Sequence, residues 1–263
     1  MAVKHIINRL NRTDRSSIIS LAVLMLTLAV TLVLLVFTRL HYSSAIVDLS
    51  WPNCSHLPRT YFSKAVVGVT GGLDFHVNKC SGNEASLAET YEIYANTGNP
   101  GLPRIKRFEN SPFVCTSQDA LVCYSFNYGY NAGIYALNQA NLANLHSAFW
   151  WLDVETDNSW TVFRYANRAD IYGMLEALAS VRFLHPKLGI YTTTNQWRAI
   201  VGNWSLGLPL WLGTGSTSIV AARQACSVQS VTGSPVSMTQ YISSDGMQDY
   251  DYNCHVLAPD SYF

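Results

Sequence analysis

The amino-acid sequence predicts an α/β fold, a (β/α) barrel of the TIM type, preceded by one N-terminal transmembrane helix. Three observations carry that prediction. Past residue 40, eight short β-like runs are separated mostly by helical stretches, the pattern of buried strands joined by crossover helices rather than of a sandwich. Several of those runs end in acidic residues, where barrels of this kind keep their working groups. Finally, the 263 residues suit one barrel of about 250 residues with a short leader.

The leader comes first. Residues 1–17 hold Lys4, Arg9, Arg12 and Arg15 against Asp14. The next 20 residues, Ile18 to Phe37, carry no charge and are broken only by Ser20, Thr27 and Thr31. A helix of that length rises about 30 Å, the thickness of a bilayer's hydrocarbon core. Positive charge before it predicts a cytoplasmic segment over 1–17, a signal anchor over 18–39 and an extracytoplasmic domain over 40–263. Cleavage at Ser43-Ser44-Ala45, which would release the domain, stays open.

Within the domain, Ala45 to Leu49 and Ala65 to Val69 read as the first two strands. A short helix from Glu84 to Glu89 leads into a third, Tyr91 to Ala95, stopped by the turn residues Asn96-Thr97-Gly98-Asn99-Pro100-Gly101. Pro103 to Cys123 reads as loop and Ser125 to Leu145 as helix. Phe149 to Glu155 is an apolar run ending in acids, the look of a buried parallel strand. A helix over 161–184, a strand over 188–193, a helix to Ile200 and a strand over 208–212 follow. The chain then offers a helix over 218–224 and strands over 236–242 and 249–253.

Composition narrows the function classes. Hydrophobic residues make up 49% and charged residues only 13%, against about 25% charged in an average domain. Lys+Arg and Asp+Glu are equal at 17 each, so the basic footprint of a nucleic-acid binder is missing. From residue 41 onward, 12 basic residues face 16 acidic ones. All six cysteines lie there: Cys54, Cys80, Cys115, Cys123, Cys226 and Cys254. None forms a C-x-x-C pair, and an even count outside the membrane predicts disulfides, for which six cysteines allow 15 pairings. The expected set is Cys115–Cys123 as a local loop, with Cys54–Cys80 and Cys226–Cys254 tying neighbouring strand ends. The histidines lack ligand spacing, Gly71-Gly72 lacks a following Lys-Ser/Thr, and no G-x-S-x-G elbow occurs. No metal or other cofactor is expected.

Residues two apart on a strand share a face, so Asp153 and Glu155 point together at the end of an apolar strand. Two carboxyls in a low-dielectric mouth repel each other's charge, and one keeps its proton. A proton donor beside an anion is what glycoside hydrolysis needs. Asp48 closes the first strand, and Asp249 or Asp251 stands near the end of the last. First and last strands are neighbours in a closed barrel, so these acids converge on one mouth.

In order, Asp48-Leu49-Ser50, Asp153-Val154-Glu155, Gly189-Ile190-Tyr191-Thr192, Leu210-Trp211, Gln240-Tyr241 and a terminal Asp-x-Asn or Asp-x-Asp resemble the family 25 glycoside hydrolases, lysozymes of the N-acetylmuramidase type. The likeness runs from about residue 45 to 254. The phrases 66–72, 94–101 and 150–155 look like a membrane-anchored bacterial branch of that superfamily. The resemblance implies a flattened barrel and hydrolysis of β-1,4 bonds in peptidoglycan or a related amino-sugar polymer. It makes Glu155 the general acid, with Asp153 and Asp249 or Asp251 stabilising developing charge and Asp48 positioning the substrate's acetamido group. Tyr94, Asn96, Tyr191, Trp211, Gln240 and Tyr241 are the implied substrate-binding residues. Two departures reshape the groove: Gly71-Gly72 stands where those lysozymes usually have Glu-Gly, and Tyr94-Ala95-Asn96 where they commonly have Tyr-His-Phe. They motivate the alternative of a weak or inactive barrel that binds cell-wall glycan, or a hydrolase of another N-acetylated glycan.

Overall fold

A computed structural model of the chain describes residues 23–31, 42–116, 119–180, 186–243, 246 and 248–254. It falls into two units, Met1–Tyr42 and Ser43–Phe263. In the first, residues 23–31 form a helix, α1, with exposed side chains. Among the described residues no helix is long and apolar enough to cross a membrane. The segment expected in the cytoplasm, 1–17, and most of the expected span 18–39 lie outside the described residues.

The second unit is a closed barrel with strand order β1 to β8. Its strands are β1 (Tyr42–Leu49), β2 (Tyr61–Gly68), β3 (Ala88–Asn96), β4 (Phe149–Asp153), β5 (Lys187–Thr192), β6 (Leu208–Gly213), β7 (Gly233–Ile242) and β8 (Asp249–Asn253). Between them lie α2 (Ser81–Ala85), α3 (Ala120–Leu142), α4 (Arg164–Ala179), α5 (Thr194–Val201) and α6 (Ile219–Ala225). Short 3₁₀ turns occupy Trp51–Ser55 and Arg104–Phe108. Strands β2 to β7 pair in parallel. β8 instead runs antiparallel to both β7 and β1. The reason is the connection from Ile242 to Asp249, far shorter than the ~12 residues a parallel crossover needs. The parallel pattern expected from the sequence therefore holds for the six strands β2 to β7, and the last closes the barrel as a hairpin.

Strand alternation sorts the side chains into two cores. Val47, Leu49, Val67, Val69, Ile93 and Leu152 face outward against the helices. Val66, Tyr94, Trp151, Trp211 and Met238 fill the barrel itself, with Ile46, Phe149 and Tyr191 packed on them. Near the barrel's lower end Lys64 pairs with Glu92 at 2.6 Å, and Glu92 also accepts from the Trp151 indole at 2.7 Å. A Cβ on Gly189 would sit 2.4 Å from the Trp151 ring, so that strand must carry glycine to admit the indole. The three disulfides are Cys54–Cys80, Cys115–Cys123 and Cys226–Cys254, the pairing expected above. α3 starts at Ala120, five residues before the expected Ser125. α4 covers Arg164–Ala179 of the helix expected over 161–184, and residues 181–185 lie outside the described set.

Candidate active site

Each acid of interest stands at or just past the carboxyl end of a parallel strand, or across from one. Asn96, Asp153, Tyr191 and Trp211 lie side by side in register across β3, β4, β5 and β6. Asp48 of β1 faces Asp249 of β8, and the same Asp249 is paired with Ile242 of β7. These rows surround a pocket of about 210 Å³ whose walls include Asp48, Asp153, Glu155, Asp157 and Asp249. Tyr94, Asn96, Tyr191, Trp211 and Gln240 also line it. Among the described residues that line it there is no lysine, arginine or histidine. Five carboxyls without a cation make a site for a neutral ring on which positive charge develops, and a poor one for an anion.

Asp153 is buried and receives the Nδ2–H of Asn96 on Oδ2. Asn96 is itself fixed by Thr70, whose hydroxyl donates to its Oδ1 at 2.7 Å and accepts its backbone N–H at 2.8 Å. The neighbouring Glu155 carboxyl also raises Asp153, while Asp153 in turn lowers Glu155. Burial first, and then the Glu155 charge, raise the Asp153 carboxyl well above the usual range. Burial also raises Glu155, against the opposing hydrogen bonds from Gln196 and Asp153. The pair thus keeps a proton to higher pH than separate carboxyls would. Glu155 sits just past β4, where Val154 N–H still bonds the Tyr191 carbonyl at 2.9 Å. Its own carbonyl accepts the Trp160 indole N–H at 2.6 Å.

Asp48 accepts from Gln240 Nε2 at 2.8 Å on Oδ2. Its backbone carbonyl is held by Gln248 of the β7–β8 turn at 2.7 Å. Burial raises Asp48 strongly, reinforced by the charges of Asp251, Asp249, Asp153 and Glu155. Tyr191 donates to Gln240 Oε1 at 2.7 Å, and its ring lies 4.4 Å from that of Trp211.

The two registers left open for the terminal acid are now distinguished. Asp249 lines the pocket. Asp251 is one pleat deeper, opposite Ile46 and Gln240, buried and accepting the Trp211 indole N–H at 2.8 Å. It supports the floor and does not line the pocket. Tyr241 also departs from its expected place. Adjacent strand residues face opposite ways, so with Gln240 inward Tyr241 points out, stacked on Tyr250 at 5.9 Å. Tyr94, Asn96, Tyr191, Trp211 and Gln240, the other residues expected to bind substrate, all line the pocket.

Other lining residues come from loops and carried weaker signals. Trp51 is 51% exposed at the rim, and follows Asp48-Leu49-Ser50 directly. Its indole lies against Gly72, where φ is +80° and a Cβ would come within 2.5 Å of Nε1. Gly72 therefore belongs to the wall, and the indole occupies space that a side chain there would take. Asp157 and Asn158 also line the pocket, with Asn158 Nδ2 donating to the Asp153 carbonyl at 3.2 Å. Gln196 closes a capping box with Thr193 at the start of α5; the T-x-x-Q spacing was its visible trace. Among the described residues no group of three or more His, Cys, Asp or Glu is disposed to hold a metal ion.

A family model described as Lysozyme-like protein 1 matches residues 121–222, the stretch that contains Asp153, Glu155, Tyr191 and Trp211. A curated relative, Probable GH family 25 lysozyme 5 of Dictyostelium discoideum, is 38% identical over 66 residues, covering 24% of this chain. The match spans 30% of that relative's length. Among solved structures, the glycosyl hydrolase 25 GHIP of Streptococcus pneumoniae aligns over 84% of this chain and 91% of its own, at 16% identity and a TM-score of 0.48.

Proposed function

We propose that this chain belongs to the family 25 lysozyme-like superfamily, which its similarities favour, and is a retaining glycoside hydrolase that cleaves β-1,4 bonds of peptidoglycan or a closely related N-acetylated glycan. One observation carries the reading: a proton-sharing carboxyl pair, Asp153 and Glu155, sits in a pocket walled by further acids and free of basic residues. Glu155, the less buried of the two, hands the proton that the pair shares on to the glycosidic oxygen, which leaves both carboxyls ionised. As that bond breaks, the substrate's acetamido oxygen attacks C1, so no enzyme carboxylate becomes attached. Positive charge then spreads over the ring and the forming oxazolinium, beside Asp153 and Asp249. Asp48 receives the acetamido N–H and fixes that group for attack. Glu155, now ionised, takes a proton from the water that opens the intermediate. Trp51 at the rim and Tyr191 inside the pocket offer aromatic faces and a hydroxyl to sugar rings.

The proposed setting follows from the sequence and the disulfides. The apolar segment 18–39 anchors the chain, with the barrel outside the cytoplasm. Three disulfides suit an oxidising compartment and are rare in a reducing one. The test is incubation of the purified full chain with peptidoglycan beside Glu155→Gln, with released fragments identified by mass spectrometry. Fragments ending in reducing N-acetylmuramic acid, absent from the variant, support the reading. Equal release by the variant removes Glu155 from the role of acid. Binding to the pellet without any release by the unaltered chain would favour a glycan-binding barrel.

A further inference from the structure

Asp48 presents two unlike oxygens. Oδ2 accepts the Gln240 amide at 2.8 Å, while Oδ1 is buried with no hydrogen-bond partner among the described residues. Asp48 lines the pocket, so its carboxyl is held where a sugar would bind. What decides which oxygen is engaged is the orientation of the Gln240 amide. Its Oε1 takes the Tyr191 hydroxyl at 2.7 Å, which turns the NH₂ group toward Asp48. Burial raises the Tyr191 phenol well above its ordinary range, so it stays protonated and remains a donor. With the amide reversed, Nε2 would donate to the Tyr191 oxygen and Oε1 would meet Asp48, an arrangement compatible only with a protonated Asp48.

We propose that Gln240 is a positioning residue whose amide, oriented by Tyr191, holds the Asp48 carboxyl through Oδ2 and keeps it an acceptor at the pocket wall. The proposal deepens the glycosidase reading and rests on it for the substrate group, but the Tyr191–Gln240–Asp48 chain itself is a property of the unliganded protein. Its donor opposes strong forces. Asp48 is faced by Asp249 and Asp251 from β8 and by Asp153 and Glu155 from β4, all raising it along with burial. The Tyr94 phenol of β3 is another titratable neighbour, itself raised by burial and by Asp48. One charge-assisted hydrogen bond is the counterweight identified here.

Carboxyl ¹³C NMR titration of the full chain in detergent micelles tests this without any need for turnover. Gln240→Ala is expected to raise the Asp48 titration by about one pH unit, a tenfold gain in proton affinity. Tyr191→Phe should raise it by less, and the Tyr191→Phe shift should vanish when Gln240 is already Ala. An unchanged Asp48 in Gln240→Ala, or a Tyr191→Phe shift that persists in the double variant, overturns the proposal. Gln240→Glu, close to the native size, replaces the donor with an acid and should also raise Asp48; an unmoved titration there counts equally against it. Hydrolysis measured in parallel separates the two ideas. In an active protein Gln240→Ala should raise KM more than it lowers kcat, whereas an inactive wild type with an intact NMR pattern refutes the glycosidase reading and leaves the positioning role standing.

Discussion

The proton affinity of Glu155 is a balance of named neighbours, and two of them pull in opposite directions. Burial raises it, the hydrogen bond from Gln196 lowers it, and the charge of Asp249 raises it. A general acid works while protonated, so activity falls as pH climbs through its pKa. Removing the like charge in Asp249→Asn should therefore move the alkaline limb of kcat/KM to lower pH. Removing the donor in Gln196→Ala should move it to higher pH. Shifts of the same sign in both variants would show that the limb belongs to another group. Glu84 gives a second residue-scale expectation, away from the pocket. It is fully buried, bonded by Asn78 Nδ2 at 2.6 Å, and burial lifts it from 4.5 to about 7. An acid that holds its proton more tightly when folded destabilises the fold as pH rises. The loss begins near pH 4.5, where the unfolded chain ionises, and levels off above about 7. The gap corresponds to roughly 3 kcal/mol at neutral pH. Glu84→Gln should flatten that part of the stability profile, as denaturant unfolding at pH 4.5, 5.5 and 7.5 would show.

At the scale of elements, α3 and α4 touch through their backbones. A Cβ on Gly129 would lie 1.9 Å from the Asp170 carbonyl oxygen, and one on Gly173 would lie 2.0 Å from that of Phe126. Alanine at either position has to push the helices apart, a cost of about 1–3 kcal/mol for an overpacked contact. A clear fall in Tm is expected for Gly129→Ala and Gly173→Ala, and an unchanged Tm would mean that the helices do not approach this closely. Strand interiors were legible because their apolar runs are buried on both faces, and β8 was placed at its observed bounds. The early halves of β2 and β3 were not legible. In β2 the interior Lys64, paired with Glu92, breaks the apolar run that marks a buried strand; in β3 the exposed Glu89 and Thr90 lack such a run, and Glu89 belongs to the strand and not to the helix expected over Glu84 to Glu89. The start of α3 was hidden by Cys123, which reads as loop chemistry but is the fourth residue of a helix. Asp48, Asp153 and Glu155 were legible because they stand at or beside strand ends, where alternation fixes their direction; Asp249 opens β8 and reaches the same mouth because that strand runs antiparallel. Trp51, Asp157 and Gln196 were not, since loop and cap positions follow no such period, and Tyr241 was misplaced by one residue of the same alternation.

Across the whole molecule, closure depends on a short seam. β8 has five residues and runs antiparallel to both neighbours, yet it carries Asp249 to the pocket and Asp251 to the floor. Cys254, just past its end, is tied to Cys226 at the C-cap of α6. On the other side of the seam, Cys54 in the turn after β1 is tied to Cys80 at the N-cap of α2. Loops of 26 and 28 residues are worth about 3.5 kcal/mol each by chain entropy, against about 2.5 for the 8-residue loop of Cys115–Cys123. Entropy alone thus separates the wide and local bridges by only about 1 kcal/mol. Cys226→Ser/Cys254→Ser should cost more than that margin, because it also frees the end of the closing strand. Hydrogen exchange should then rise first at the amides of β8, while β3 to β5 stay protected. Glycan cleavage should fall in step with that local opening, before global unfolding, since Asp249 leaves the pocket with the strand. If the Cys115→Ser/Cys123→Ser pair instead lowers Tm as much and leaves β8 equally protected, closure is governed by the α3 end and not by the β1–β8 seam.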